Sequence, residues 1–271
     1  MGKFTVFGGS GFIGSEFVKE IRGQGHDVFV PTREDSRIYE EDLGVIIYSA
    51  GYGDCQKDPF NVLTANVLLL SSLLQKAKFD KLVYISSTRV YMNQELSVEN
   101  SDLTICENDT RRLFNLTKLT AEELCLKSKR NCLVIRPSNV YGLALNSPLF
   151  LPSIIRDAVN KKEVTMFVSK NYSKDYIAVT DVVDVTLKIL NKNGHPNIVN
   201  IASGENIKAS EIAKILIDKL DCKVNWVENY NDVKEVFPET NIDFITDEIK
   251  FKARKVLLDM NKMIEDYKSK L

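Results

Sequence analysis

Gly8-Gly9-Ser10-Gly11-Phe12-Ile13-Gly14 follows the apolar run Phe4-Thr5-Val6-Phe7 and leads into a helical pattern. Glycines at 8, 11 and 14 let the chain turn sharply at a strand end, let the backbone approach a pyrophosphate, and let the next helix pack closely on its strand. The positive end of that helix then faces phosphate. A second strand, Asp27 to Val30, stands where a βαβ unit needs one. Strand, glycine turn, helix and strand together predict a dinucleotide site at which Gly8, Ser10, Gly11, Phe12, Ile13 and Gly14 meet the cofactor.

Outward from this unit, strands and helices keep alternating, which predicts a mostly parallel, doubly wound sheet. Val45 to Ala50 reads as a strand running into Gly51, and 62–77 as a helix from the spacing of Val62, Ala65, Leu69 and Leu73. Lys81 to Ser86 and Asn131 to Arg136 read as strands, with an amphipathic helix at 111–129 between them. Further on, helices are expected at 149–160 and 209–220, short strands near Val164 to Val168 and Asn197 to Ile201, and a charged closing helix over Lys250 to Lys270. The expected fold is α/β, a Rossmann sheet with a small C-terminal α/β region. Residues 1–142, with parts of 175–201, are assigned to the nucleotide half, and 143–174 with 202–271 to a substrate half interleaved with it.

Bulk properties narrow the class. The 271 residues suffice for one main domain with an appendage. Lys plus Arg is 36 against 37 for Asp plus Glu, so no global field recruits nucleic acid or an anionic membrane. No run of eighteen apolar residues predicts a membrane span, and Met-Gly-Lys leads straight into the first strand without room for a signal peptide. Val6 stands where a myristoylation motif wants Ser or Thr. Five scattered cysteines without CxxC spacing read as reduced thiols of a cytoplasmic protein. The two histidines, His26 and His195, read as loop residues, which excludes a histidine-based metal site or a Ser-His-Asp triad.

Later motifs extend the pattern in order: Ser49-Ala50-Gly51, Asn66, Ser86-Ser87-Thr88-Arg89-Val90-Tyr91, Lys118-x-x-x-Glu122, Arg136 to Gly142, Lys174-Asp175-Tyr176 to Val182, and Asn200 to Gly204. With these the chain resembles, over nearly its whole length, the extended short-chain dehydrogenase/reductases of the nucleotide-sugar epimerase/dehydratase/reductase group. That resemblance places Ser49, Ala50, Gly51, Asn66, Lys118 and Ser138 beside the cofactor. It places Ser87, Thr88, Asn139 and Lys174 against a nucleoside-diphosphate sugar, with Arg156 and Lys170 as further diphosphate candidates.

In that group a Tyr-x-x-x-Lys pair moves the proton while a nicotinamide moves the hydride. Residues i and i+4 share a helix face, so the ammonium can lower the tyrosine pKa. Here Lys118 and the strand-end hydroxyl Ser87 match the pattern, but position 114 is phenylalanine. Three readings follow: an introduced substitution, a natural residue with the proton relayed by Ser87, Thr88 or water to a nearby acid, or a binding relative without turnover. Tyr52, Asp54 and Cys55, on a loop at the rim, are candidates for the missing proton.

At the end of the second strand an acid would favour NAD, whereas Thr32 followed by Arg33 suits the 2′-phosphate of NADP, with a solvated Arg33 and NAD as the alternative. Glu34 to Gly44 is short for the usual helix-plus-strand connection, so the third strand and its adenine contact are expected to be missing or vestigial. Thr88 and Arg89 replace the acid pair of the group's dehydratases. The resulting expectation is a 4-keto-sugar reductase, with a 4-epimerase or a non-catalytic binding protein as alternatives. A homodimer is expected through the helices at 62–77 and 111–129.

Overall fold

The apolar run of Phe4 to Phe7 lies in β1 (Lys3–Phe7), which buries Thr5, Val6 and Phe7. Gly8 then turns the chain with φ +75°, a conformation open to glycine at little cost. The turn delivers α1 (Phe12–Gly23), whose Phe17 and Ile21 reach the core, and α1 returns to β2 (Asp27–Phe29). A loop and the single turn α2 (Arg37–Glu40) lead to β3 (Val45–Tyr48). In this computed structural model residues 2–147, 149–192, 194–227 and 235–270 are described. Residues 148, 228–234 and 271 of the stretches assigned to the substrate half lie outside them.

After β3 come α3 (Pro59–Leu63), capped by the Asp58 carboxylate on Asn61 N, a π turn over Thr64–Leu68, and α4 (Leu69–Lys76). Next are β4 (Lys81–Ile85), a 3₁₀ turn at Thr88–Tyr91, α5 (Arg112–Lys127), β5 (Cys132–Pro137) and β6 (Asn139–Tyr141). The C-terminal part holds α6 (Phe150–Lys161), β7 (Glu163–Met166), β8 (Ser173–Ala178) and α7 (Val179–Leu190). It continues with β9 (Ile198–Ile201), β10 (Asn206–Lys208), α8 (Ala209–Leu220), β11 (Lys223–Trp226), α9 (Asp243–Asp247) and α10 (Val256–Lys270).

The main sheet is parallel throughout, in the order β2-β1-β3-β4-β5-β9. The chain leaves β1 toward β2 and returns to β3 on the other side, so a topological switch point lies at the carboxyl ends of β1 and β3, where open α/β sheets bind ligands. Both faces are packed, one by α1 and α7 around Val6, Ile47, Val83 and Ile135, the other by α4 and α5 around Ile46, Tyr48, Leu82 and Tyr84. A third apolar cluster joins α6, α8 and α10 above a small β10-β8-β6 sheet and a parallel β11-β7 pair. Among the described residues no helix is long and apolar enough to cross a membrane.

Several boundaries differ from expectation for physical reasons. The helix expected at 62–77 starts at Pro59, because proline at its first turn and Asp58 before it form an N-terminal stop signal. The closing helix begins only at Val256: Lys250 adopts φ +54°, and Arg254 is held by Asp181 and Asp259. Between Glu34 and Gly44 the only regular element is α2, and β2 is the sheet edge, as the short connection predicts. The motif from Lys174 to Val182 spans most of β8 and the start of α7.

The glycine turn is sterically closed at Gly14. A Cβ there would lie 2.2 Å from Gly8 O and 2.6 Å from Ser49 Oγ. Gly14→Ala is therefore expected to destabilise the protein by about 1–3 kcal/mol through overpacking. Urea unfolding reads this directly, and an unchanged midpoint would show that the turn can shift freely.

Candidate functional site

A cavity of about 500 Å³ opens at the switch point. The start of α1 supplies Phe12 and Ile13, the segment after β3 supplies Ser49, Gly51 and Tyr52, and the segment after β4 supplies Ser87 and Thr88. Helix α5 adds Phe114 and Lys118, β5 leads into Ser138 and Asn139, and β8 contributes Lys174. Residues far apart in sequence thus converge because consecutive parallel strands end at one edge. Gly8, Ser10, Gly11 and Gly14 form the turn beneath it, and Ala50 follows Ser49 along the same loop.

The turn suits a pyrophosphate. Gly11 precedes α1 without a side-chain cap, and the first turn of α1 holds no acidic residue, so the helix presents amide groups and a positive end. A Cβ at Gly11 would touch only Gly8 O, at 3.2 Å, whereas one at Gly8 would meet Ser49 O and Ala50 at 2.7–2.8 Å. These residues fit a dinucleotide.

Lys118 is buried, and its ammonium donates to Ile85 O at 2.8 Å. Burial pulls its pKa down to about 8, against a smaller upward pull from Glu122. Its Nζ lies 4.8 Å from the Tyr84 ring centre and 5.6 Å from that of Phe114. Ser87 caps the 3₁₀ turn by accepting from Arg89 N, and Thr88 is buried at the cavity wall. Phe114 is half-buried with no proton to exchange.

Asn66 lies behind the loop that rims the cavity. It is fully buried and does not reach the cavity. Its Oδ1 accepts from Tyr52 N, and its Nδ2 donates to Tyr52 O and to Thr117 Oγ1, each at 3.0 Å. Its position within the π turn makes it a clamp for the loop that carries Gly51 and Tyr52. Thr32 and Arg33 are exposed outside the cavity, where Arg33 donates to Asn61 Oδ1 at 2.7 Å. Ser138 lines the cavity, yet its hydroxyl donates to Asp175 Oδ1 at 2.6 Å, and Asn139 donates to Asp175 O at 2.8 Å. Arg156 binds the Leu145 and Ser147 carbonyls, a loop tie in place of the expected diphosphate contact. Asp54 and Cys55 stay off the cavity wall, unlike Tyr52.

Two ionic networks escaped the sequence reading. Arg89 donates to Asp109 Oδ1 at 2.7 Å and to Glu235 Oε1 at 2.7 Å, while Tyr172 donates to Glu235 Oε2. Burial alone would raise the Glu235 pKa, but Arg89, Lys174 and Tyr172 hold it at about 2. Lys174, 3.7 Å from Glu235, is pulled down to about 8 by burial, with Glu235 opposing and Arg89 and Arg111 adding to the shift. Behind the cavity, Arg136 makes a two-pronged pair with Glu122 at 2.6 and 3.1 Å. Ser86 donates to the same carboxylate, and Arg136 also donates to the Tyr91 hydroxyl, which donates to Asn200.

GDP-6-deoxy-D-talose 4-dehydrogenase of Aggregatibacter actinomycetemcomitans is 22% identical over 297 residues, covering 99% of this chain and 98% of the relative. GDP-6-deoxy-D-mannose reductase of Pseudomonas aeruginosa is 27% identical over 189 residues, covering 64% and 61%. The structure of MoeE5 in complex with UDP-glucuronic acid and NAD superimposes with a TM-score of 0.84 at 18% identity over 100% of both chains. The sequence profile of the NAD dependent epimerase/dehydratase family matches residues 38–202, from α2 through the end of the parallel sheet, and to that family this chain belongs.

Proposed function

We propose that the chain is a reductase of 4-keto sugars carried on a nucleoside diphosphate, with NADP as its cofactor. The observation that carries this reading is one cavity walled by the start of α1, the Ser87 and Thr88 hydroxyls and the buried Lys118 ammonium. The names of the two sequence relatives, a 4-dehydrogenase and a reductase of GDP-linked sugars, support redox chemistry on a nucleoside-diphosphate sugar and leave the substituent at carbon 6 open for this chain. Arg33, exposed on the loop after β2, supports NADP over NAD: one guanidinium nitrogen donates to Asn61 and the other N–H groups can meet a phosphate.

When bound, the cofactor supplies the hydride. The Gly8 to Gly14 turn would hold its pyrophosphate, and Ser49, Gly51 and Lys118 its nicotinamide half. Ser87 and Thr88 would hold the sugar oxygen, with Asn139 and Lys174 toward the diphosphate. Phe114 moves no proton, so Lys118 is the proton source, through a hydroxyl or water in the same cavity. Reduction consumes a proton, and the ammonium form prevails below its pKa of about 8. The rate is therefore expected to be flat below that pH and to fall above it; a rate that rises through the same range would exclude Lys118 as donor.

The assay is loss of NADPH absorbance with a panel of nucleoside-diphosphate 4-keto sugars. Cofactor retained through purification, with sugar interconversion and no net reduction, would replace the reductase by a 4-epimerase. Phe114 itself favours a further reading, a sensor that binds without turnover. Nucleotide-sugar binding with no hydride transfer, in this chain and in Phe114→Tyr, would establish that reading. A gain of rate in Phe114→Tyr would mark the phenylalanine as a silencing residue.

The homodimer is also proposed. Phe60, Leu63, Leu68 and Leu116 are exposed on the adjoining α3, π turn and α5, an apolar face suited to a second copy. Sedimentation at a single monomer mass would overturn it. Five free cysteines support a reducing, cytoplasmic setting, and the separate cluster around α6, α8 and α10 supports the assignment of 143–174 and 202–271 to substrate binding.

A further inference from the structure

Arg111 stands at the head of α5, and its side chain lines the cavity beside Phe114. Its guanidinium carbon lies 4.6 Å from the centre of the Phe114 ring. A Cβ on Gly53 would lie 3.0 Å from Nη2, so the guanidinium packs closely against the backbone of the opposing loop. Among the described residues no acceptor takes a hydrogen bond from the guanidinium.

The neighbouring acids are already occupied. Asp109 accepts from Arg89 Nη2 and from the Arg111 backbone N–H on one oxygen, and from Asn115 Nδ2 on the other, at 2.7–2.8 Å. Glu235 accepts from Arg89 and Tyr172 and faces Lys174. Burial, followed by the charge of Arg89, makes Arg111 hold its proton less firmly than usual, with the charges of Glu235 and Asp109 opposing. The cation–π contact occupies the region over the ring and leaves the N–H fork available. Such a fork matches the two oxygens of a carboxylate.

We propose that Arg111 is a carboxylate subsite and that the sugar handled here is acidic, a nucleoside-diphosphate uronate. This rests on the nucleotide-sugar reading of the cavity. The position separates the subsite from the diphosphate: Arg111 sits against Phe114, at the end where the sugar reacts, and three residues from the place the family keeps for its proton donor.

The test is calorimetric titration of the full chain, with NADP present, using matched pairs: UDP-glucose against UDP-glucuronate, and GDP-mannose against GDP-mannuronate. Each pair shares its diphosphate, so a preference within a pair isolates the carboxylate. The acidic member of whichever pair binds is expected to bind at least about tenfold tighter, the strength of a charge-assisted pair. In Arg111→Gln that ratio should fall to near one, and Arg111→Lys should keep part of it. The lysine variant also answers if the glutamine variant does not fold. Equal affinities in the natural chain, or a preference that survives in Arg111→Gln, would overturn the subsite alone. Failure of every probe to bind would overturn the nucleotide-sugar reading and the subsite with it.

Discussion

Replacing Lys118 by methionine is expected to slow hydride transfer by about 100- to 10,000-fold, the usual loss for a positioned proton donor, while leaving the fold intact. The two effects separate because the lysine is costly to bury. Its ammonium lies in the protein interior with one carbonyl partner, Ile85 O, since Glu122 is paired to Arg136. A pKa displaced from 10.5 to about 8 corresponds to a burial cost on the order of 3 kcal/mol. That figure is net of the hydrogen bond to Ile85 O, which holds the ammonium in place without offsetting its burial in full. Methionine removes the buried charge and keeps an apolar side chain of similar length, so no loss of stability is expected.

Linkage gives a second readout. The unfolded lysine titrates near 10.5 and the folded one near 8, so between those values the unfolded chain binds more protons and stability rises with pH. Lys174 adds a rise over the same window. Buried Tyr84, Tyr91 and Cys222, whose pKa values burial raises, oppose that rise, so the readout is the difference between the two chains: the part due to Lys118 should be missing in Lys118→Met. Denaturant melts across that window, with a rate assay at neutral pH, check both halves; a variant with full activity would remove Lys118 from the chemistry.

The largest loss of stability is expected for Arg136→Met, about 3–5 kcal/mol, because it strands a buried carboxylate. Glu122 and Arg136 are each about 3% exposed, and the pair is bonded to Ser86, Tyr91 and, through Tyr91, Asn200. Removing the guanidinium leaves Glu122 charged in an apolar setting and takes a donor from Tyr91. Arg136→Met combined with Glu122→Leu should recover much of the loss, since no unpaired charge then remains. Urea unfolding of the single and double variants measures this; a single-variant loss under about 1 kcal/mol, an ordinary surface-to-core average, would show that water reaches the carboxylate. The same carboxylate raises the Lys118 pKa, so the scaffold pair also sets the pH range of the proposed donor.

The parallel sheet was legible because short apolar strands, glycine turns and helical spacing agree locally, from Phe4 through Arg136. Ser87, Thr88, Phe114 and Lys118 were placed by motif, and the sheet topology does bring them to one wall. For Asn66 the motif gives a position along the chain and says nothing of side-chain direction. The π turn at Thr64–Leu68 puts its amide onto Tyr52 and Thr117, away from the cavity. Arg89 and Glu235 were beyond reach for a different reason: they are 146 positions apart, and no local pattern links them. Arg111 carried no motif at all. Its interest comes from what surrounds it, namely acids already paired and the backbone of Gly53 packed close by.

The edge position of β2 bears on the timing of turnover. Where another strand would flank β2, the chain has the single turn α2, and Thr32 and Arg33 stand exposed at that margin. A dinucleotide reaching there would touch protein on one side only. Differences in contact of this kind act chiefly on departure rates. Release of the proposed dinucleotide cofactor is thus expected to outpace the chemical step, which stopped-flow displacement can measure; release slower than turnover would contradict it. A cofactor that leaves after each cycle must be replaced from solution, and the chain's output would then follow the ratio of reduced to oxidised cofactor in its surroundings.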